Sequence, residues 1–460
     1  MVRRHTHIRN CVIGRFLPNS CRPALLGVLA VFVWIPAQAQ MPQLAPTPPM
    51  GWNSWDAYGT TINESEVKAN ADAMASGLKQ YGWQYIVIDI QWYEPNAQAH
   101  GYRPNAQLSM DANGRLVPAI NRFPSAANSQ GFKAIAAYVH SQGLKFGIHI
   151  LRGIPRQAVA ANTPILGSTA HAADVADKNS LCEWNTDMYG VDMTKPGAQA
   201  YYDSMVAQYA EWGVDFIKAD DMSRPYHKAE IEGLHKAIEK SGRPIVLSLS
   251  PGPAPLGEID SLRANAQMWR IEDDLWDNWK SLRAMYDRAE SWVPLVAEGH
   301  WPDADMLPLG HIGLRAERGD DRLSLLSHDE QITLMTLWCI FRSPLMMGGD
   351  LPTLDSFTRS LLSNPEVLAV NQHSSGATIA YREGDLRFWK AKAQSGGEYI
   401  AIFNLSDSAA RVHLTWNQLG MTLQPVSIQE LWTHKILSKP ATLQGTLAPH
   451  AAALYKLVSH

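Results

Sequence analysis

Cysteine is scarce, at four of 460 residues, which excludes a disulfide scaffold. Positive charge is not in excess either: 40 Lys and Arg face 44 Asp and Glu, a formal net charge of -4. A mildly acidic chain gains nothing electrostatically from nucleic acid or an anionic membrane, so neither is expected as a partner. No apolar run reaches the ~20 residues needed to cross a bilayer. No Gly-rich dinucleotide fingerprint follows the first strand-like run, and no Cys/His ligand spacing recurs. His300, Asp303 and Asp305 lie close together, but without a His-x-Glu-type pair on a helix, and neither a metal nor another cofactor is expected. What is present is an ordinary globular balance, 46% hydrophobic and 18% charged, over a length that suits one large domain and a smaller one.

Residues 1–39 stand apart. Arg3, Arg4, Arg9, Arg15 and Arg22 precede the apolar run Ala24 to Ile35, and Ala37-Gln38-Ala39 supplies the small residues of a cleavage site. This predicts a removed secretory signal, a mature chain starting near Gln40, and a periplasmic or secreted protein with no membrane segment left. Cleavage removes five arginines and no acids, which takes the charge from -4 to -9 (-4 minus 5). It also removes Cys11 and Cys21, leaving Cys182 and Cys339. Cys339 sits in the apolar helical run Ile332 to Phe341, which favours a buried free thiol over a bridge.

From residue 50 to about 372, short β-branched runs alternate with longer amphipathic ones. Strands are expected at Met50 to Asn53, Tyr85 to Ile90, Lys145 to Ile150, Asp215 to Asp220, Ile245 to Ser250, Met268 to Asp273, Leu295 to Gly299 and Pro344 to Gly348. Helical spacing marks Ser65 to Tyr81, Phe132 to Gln142, Gly197 to Trp212, Lys228 to Lys240, Trp276 to Trp292 and Asp329 to Phe341. Eight strand and helix units predict an α/β fold, a (β/α)8 TIM barrel over 40–374. Beyond it helical periodicity is absent, and runs such as Leu386 to Lys390 and Tyr399 to Asn404 predict a small antiparallel β-sandwich domain over 375–460.

Chemistry in such a barrel belongs to the carboxyl ends of the strands. Here those ends are acidic and aromatic: Trp52 and Trp55, Asp89 before Trp92, Lys218-Ala219-Asp220-Asp221, Arg270-Ile271-Glu272-Asp273-Asp274, and Trp301-Pro302-Asp303-Ala304-Asp305. One such Asp is ordinarily a helix cap. Asp220 and Asp274 at two strand ends, each behind a cation at Lys218 and Arg270, point instead to a pair doing proton and hydroxyl chemistry on a sugar, whose C–H face the indoles cover.

The stretches Pro48-Pro49-Met50-Gly51-Trp52-Asn53-Ser54-Trp55, Gly213 to Asp220 and Asp303-Ala304-Asp305-Met306-Leu307 resemble glycoside hydrolase family 27, the α-galactosidase or melibiase family. So do Ser343-Pro344-Leu345, Asn364-Pro365-Glu366-Val367 and Ala369-Val370-Asn371-Gln372. The resemblance implies a retaining exo-hydrolase that releases terminal α-D-galactose from an oligosaccharide or polysaccharide, with Asp220 as nucleophile and Asp274 as acid/base. It implies Trp55 as a stacking platform and Asp89, Lys218, Arg270 and Asp305 as substrate ligands. His149 and Ser250 are expected at further substrate-binding positions.

Departures from the family pattern bear on the sugar. Asp89 is followed by Ile90, where the family commonly has a second aspartate that holds the C4 and C6 hydroxyls. An apolar side chain there suits β-L-arabinopyranose, which has the galactose ring stereochemistry without C6, so β-L-arabinopyranosidase is the alternative activity. Met222 replaces a cysteine that ordinarily bridges the loops after strands three and four, and the Ser250-Pro251-Gly252-Pro253 loop lacks the carboxylate that reads the C2 substituent. His149, with Arg152 and Arg156 in the long segment Leu151 to Asp192, could bind a larger glycan or pair with Asp174 and Asp177. An α-glucan hydrolase and a catalytically dead carbohydrate-binding protein are weaker readings, the second because both acids are present.

Overall fold

The computed structural model describes residues 43–421, 425–438 and 440–458; the expected signal, 1–39, lies outside them. Eight parallel strands form one curled sheet: β1 Met50–Asn53, β2 Tyr85–Ile88, β3 Lys145–Leu151, β4 Phe216–Asp220, β5 Val246–Leu249, β6 Met268–Arg270, β7 Trp301–Asp303 and β8 Leu345–Met347. They are paired in the order β7-β6-β5-β4-β3-β2-β1-β8. The seam between β7 and β8 closes just beyond β7, where Leu307 N–H donates to Met346 O at 2.8 Å and Gly348 N–H to Leu307 O at 3.0 Å. The barrel strands are almost wholly buried, as a sheet covered by helices on one face and by its own interior on the other requires.

Helices follow the strands: α1 Glu64–Gly77, α2 Lys133–Ser141, α3 Ala198–Trp212, α4 Lys228–Ser241, α5 Ile259–Asn265, α6 Trp279–Trp292, α7 His328–Phe341 and, after the short helix Ser356–Leu362, α8 Pro365–Gln372. Their starts obey capping chemistry: Asn63 with Glu66 and Ser327 with Glu330 form reciprocal boxes that satisfy otherwise orphaned N–H groups. Gly213 (φ +89°) and Gly242 (φ +70°) end α3 and α4 in the left-handed region, where a Cβ would be strained.

One expected strand moves. Val293–Leu295 is a 3-10 turn holding Pro294, and the chain turns back at Gly299 (φ +76°) so that the seventh strand is Trp301–Asp303 instead of Leu295 to Gly299. Pro302 sits in that strand because it lies at the seam: the ladder to β6 uses Trp301 N–H and Asp303 O, and the proline ring faces the side on which β8 pairs only later.

The C-terminal strands are β9 Ser374–Glu383, β10 Leu386–Ala393, β11 Glu398–Asn404, β12 Ala410–Leu414, β13 Ser427–Glu430, β14 Ile436–Ser438, β15 Leu443–Leu447 and β16 Ala452–Val458. A six-stranded antiparallel sheet, β9-β10-β11-β16-β13-β14, packs against the β12-β15 pair. Alternation along two central strands divides the cores: Leu386, Phe388, Ile400 and Ile402 fill the sandwich, while Trp389, Ala391, Tyr399, Ala401 and Phe403 join the barrel's core. The junction is further held by Trp432 Nε1 donating to Thr336 Oγ1 at 2.9 Å and by Trp279 stacked on His450 at 3.8 Å. Cys182 and Cys339 are both buried and free.

Candidate active site

The cavity at the carboxyl ends of the strands holds about 290 Å³, at the small end of the range for ligand sites. Its lining includes Trp55, Asp89, Ile90, Lys218, Asp220 and Asp274, so six of the ten residues singled out from sequence meet in one concavity. Tyr102, Trp184, Arg224, Pro251, Asp273, Glu317 and Arg318 complete it.

Asp220 ends β4 with its side chain 15% exposed. His149 Nε2, from the adjacent β3, lies 3.1 Å from its Oδ2, and Asp221 N–H donates to its Oδ1 at 2.9 Å. Burial opposes its charge, but the His149 hydrogen bond, the charges of His149 and Lys218 and the Asp221 N–H outweigh burial and hold the carboxyl well below the usual range. The neighbouring Asp221 takes the left-handed backbone (φ +58°), and burial raises its carboxyl to about 6 despite its ion pair with Arg152. That arginine, just past β3, donates from Nε to Asp221 O at 2.9 Å and contacts Asp221 Oδ2 at 2.8 Å and Glu230 Oε1 at 2.7 Å. It therefore ties the ends of β3 and β4 together where no disulfide can form.

Lys218 reaches Asp89 Oδ2 at 2.8 Å, and Asn53 Nδ2 donates to the same oxygen at 2.7 Å. Burial disfavours the Asp89 charge, yet Lys218, His149 and Asn53 pull its carboxyl below the ordinary value. Ile90 N–H donates to Asp89 Oδ1 at 2.8 Å, and the residue adds an apolar part to the wall beside that carboxylate.

Asp274 lies four residues beyond Arg270, with its side chain 38% exposed and its Oδ1 3.2 Å from Arg270 Nη2. Arg270 Nη1 also holds Asp305 Oδ1 at 2.7 Å. Asp305 (φ +82°) is otherwise fixed by Leu275 N–H at 2.6 Å, and burial, with Asp274 and Asp303 nearby, raises its carboxyl to about 7 against the pull of Arg270. Asp56 and Asp303 are raised as well, chiefly by burial. Burial alone does not decide the direction: Asp89 and Asp220 are as deeply buried, but Lys218 and His149 hold them down, whereas Asp305, Asp303 and Asp56 lack enough opposing charge to offset their burial.

Four expected residues do not line the cavity. Arg270 and His149 lie behind it, holding Asp274 and Asp220, and Asp305 lies behind Arg270, which it holds in turn. Ser250 lies beneath: its buried Oγ has no protein partner and faces a small void shared with Asn53, Lys218 and Asp303, while Pro251 reaches the cavity instead. Arg152 and Arg156 pair with neither Asp174 nor Asp177. Arg152 is spent on Asp221 and Glu230, and Arg156 covers the Tyr189 ring at 4.8 Å. Of the His300, Asp303 and Asp305 group, His300 lies 3.3 Å from Ala266 O and Asp305 pairs with Arg270. The lining residues missed from sequence sit in the loops after β2 through β7; their position after a barrel strand was the available signal, but the loops hid where each turns.

Family models agree with this layout. Residues 47–195 and 188–373 match the "Alpha galactosidase A" model, and residues 383–457 match the "Alpha galactosidase C-terminal beta sandwich domain" model. Alpha-galactosidase 2 of Arabidopsis thaliana is 30% identical over 426 residues, covering 90% of each chain. A family 27 β-L-arabinopyranosidase of Geobacillus stearothermophilus is 53% identical, with a TM-score of 0.88 and coverage of 90% of this chain and 97% of that one. A variant of that enzyme in complex with arabinose superposes with a TM-score of 0.89. A shared barrel, a shared C-terminal sandwich and this identity over nearly the whole length leave one assignment: the chain belongs to glycoside hydrolase family 27.

Proposed function

We propose that the protein is a retaining exo-glycosidase that releases terminal β-L-arabinopyranose, and α-D-galactose more slowly, from an oligosaccharide or polysaccharide. The observation that carries this is Ile90, buried in the cavity wall beside Asp89 with its N–H already bound to that carboxylate. An apolar side chain there gives a C6 hydroxyl no partner and leaves room for a sugar without one. The 53% identity to a β-L-arabinopyranosidase supports the same reading. The 30% identity to a plant α-galactosidase supports the second reading, in which α-D-galactose is preferred, as the family pattern alone suggests.

In the proposed double displacement Trp55 lies against the C–H face of the sugar, and Asp89 with Lys218 holds ring hydroxyls. Asp220, kept ionised by His149 and Lys218, attacks the anomeric carbon as Asp274 delivers a proton to the leaving oxygen. A glycosyl ester on Asp220 results. Asp274 then takes a proton from water, which attacks the same carbon and frees Asp220 with the anomeric configuration retained.

The test is a paired measurement of kcat/KM on p-nitrophenyl β-L-arabinopyranoside and α-D-galactopyranoside. At least about ten-fold preference for the arabinoside is expected, and Ile90→Asp should shift the ratio towards galactoside by one to two decades, the size of a charge-assisted hydrogen bond of ~1.5–3 kcal/mol. Equal or faster galactoside turnover by the unaltered enzyme overturns the preference. Residues 1–39 are proposed as a signal that directs export to the periplasm or medium and is then removed. N-terminal sequencing of the exported chain should begin near Gln40; an intact Met1 refutes it.

A further inference from the structure

The loop after β3 is a built element. Ile154–Pro155, Ala176–Leu181 and Met188–Val191 pair as a three-stranded antiparallel sheet, and the connection between the last two carries Trp184 to the mouth of the cavity. That connection is pinned just beyond Trp184: Thr186 Oγ1 accepts from Asn105 N–H at 2.8 Å, and Asp187 Oδ2 accepts from Gln91 Nε2 at 2.6 Å and Tyr93 OH at 3.0 Å. Trp184 is nonetheless 37% exposed, on a connection fixed two and three residues further on.

Three rings run from the floor to this rim. Trp55, 6% exposed, stacks on Tyr102 with centroids 5.9 Å apart and planes 18° apart, and Tyr102 meets Trp184 at 5.5 Å and 43°. Charges also line the mouth in opposite-sign pairs. Arg224 Nη2 holds Asp273 Oδ2 at 2.7 Å, next in sequence to Asp274, and Arg318 Nε lies 3.7 Å from Glu317 Oε2.

We propose that Trp184, with Tyr102, forms a binding site for the leaving sugar ring, and that this site takes a neutral pyranose. The proposal rests on the hydrolase reading above. A leaving group protonated by Asp274 must exit past Asp273 and Arg224, where polar atoms suit its hydroxyls, while an indole at the rim covers its C–H face. Among the described residues lining the mouth, both arginines already face a carboxylate, which gives a carboxylated sugar no advantage. An exposed indole held this firmly, in continuation of the ring that covers the first sugar, extends the site by one residue of glycan.

The test compares two substrates with the same glycone: a disaccharide with a second, neutral pyranose, and the glycosyl fluoride, whose leaving group has no ring. Trp184→Ala should lower the ratio of kcat/KM for disaccharide over fluoride by about ten-fold, and Trp184→Phe should restore most of it. A merely structural role lowers both substrates together and leaves the ratio unmoved; that result, or no change at all, overturns the site. No turnover of either fluoride, arabinosyl or galactosyl, by the unaltered enzyme would overturn the hydrolase reading itself.

Discussion

Asp220 stands at the end of a barrel strand among fixed donors, with its side chain 15% exposed; Asp274 stands on a loop four residues past its own strand, 38% exposed and contacted by Arg270 at 3.2 Å. On the first side the frame is continuous. His149 and the Asp221 N–H hold the carboxylate, Arg152 holds Asp221, and Glu230 on α4 holds Arg152. On the second side Arg270 is the anchor, shared with Asp305, and Asp274 N–H turns to Asp273 Oδ1 at 3.0 Å. The difference fits the proposed duties. A nucleophile must meet one carbon from one direction, and misplacement by 1 Å is costly, whereas an acid/base exchanges protons with a leaving group and then with water and needs access.

Removing each group should expose that asymmetry. Asp220→Asn should lower kcat/KM by about four to six decades on every substrate, since no second group can form the ester bond. Residual turnover above a thousandth of the original would place the nucleophile elsewhere. Asp274→Asn should cost about two to four decades on a disaccharide and far less on a glycosyl fluoride, which leaves without protonation. Equal losses on both substrates would remove Asp274 from the acid role.

Next in size is the frame itself. Arg152 is buried with two acids, and Arg152→Met leaves Asp221 and Glu230 without their cation, a change worth about 3–5 kcal/mol of stability. The melting temperature should fall, and kcat should fall further than KM changes, because the N–H that holds Asp220 belongs to the residue Arg152 clamps. Arg152→Lys should recover part of both. An unchanged melting temperature in Arg152→Met would show that the buried pairs contribute nothing net.

This frame was only half legible in the sequence. Asp220, Asp274, Lys218 and Trp55 could be found because barrel strands deliver their end residues to one face, and strand periodicity survives in the chain. The loss of the bridge at Met222 was visible too. Its replacement was not, since Arg152 is far in sequence from Asp221 and Glu230 and meets them only through the packing of β3, β4 and α4. Ser250 misled because strand ends alternate, and a one-residue difference in where β5 stops puts Pro251 at the cavity and Ser250 below. Ile436–Ser438 and Leu443–Leu447 went unseen because a strand at a sheet's margin carries a weak apolar alternation; all three residues of Ile436–Ser438 are exposed.

The smallest expected effect concerns protons on the floor. Asp305 is an acid whose folded pKa is raised, by burial first, to about 7 from 3.8. Between those values the folded chain binds more protons than the unfolded one, so this group's contribution to stability is fully present below about pH 4 and is lost as pH rises through about 7. Asp221, raised to about 6, acts in the same direction over a narrower window. Asp220 and Asp89, both depressed, act oppositely, and their contribution is lost only in acid. Melting temperature measured from pH 3 to 8 should therefore decline less steeply above pH 4 in Asp305→Asn than in the unaltered chain, with the two curves converging in shape below pH 4. Parallel curves across the whole range would mean that Arg270 keeps Asp305 ionised throughout, and that the carboxylates on the acid/base side are as firmly charged as Asp220.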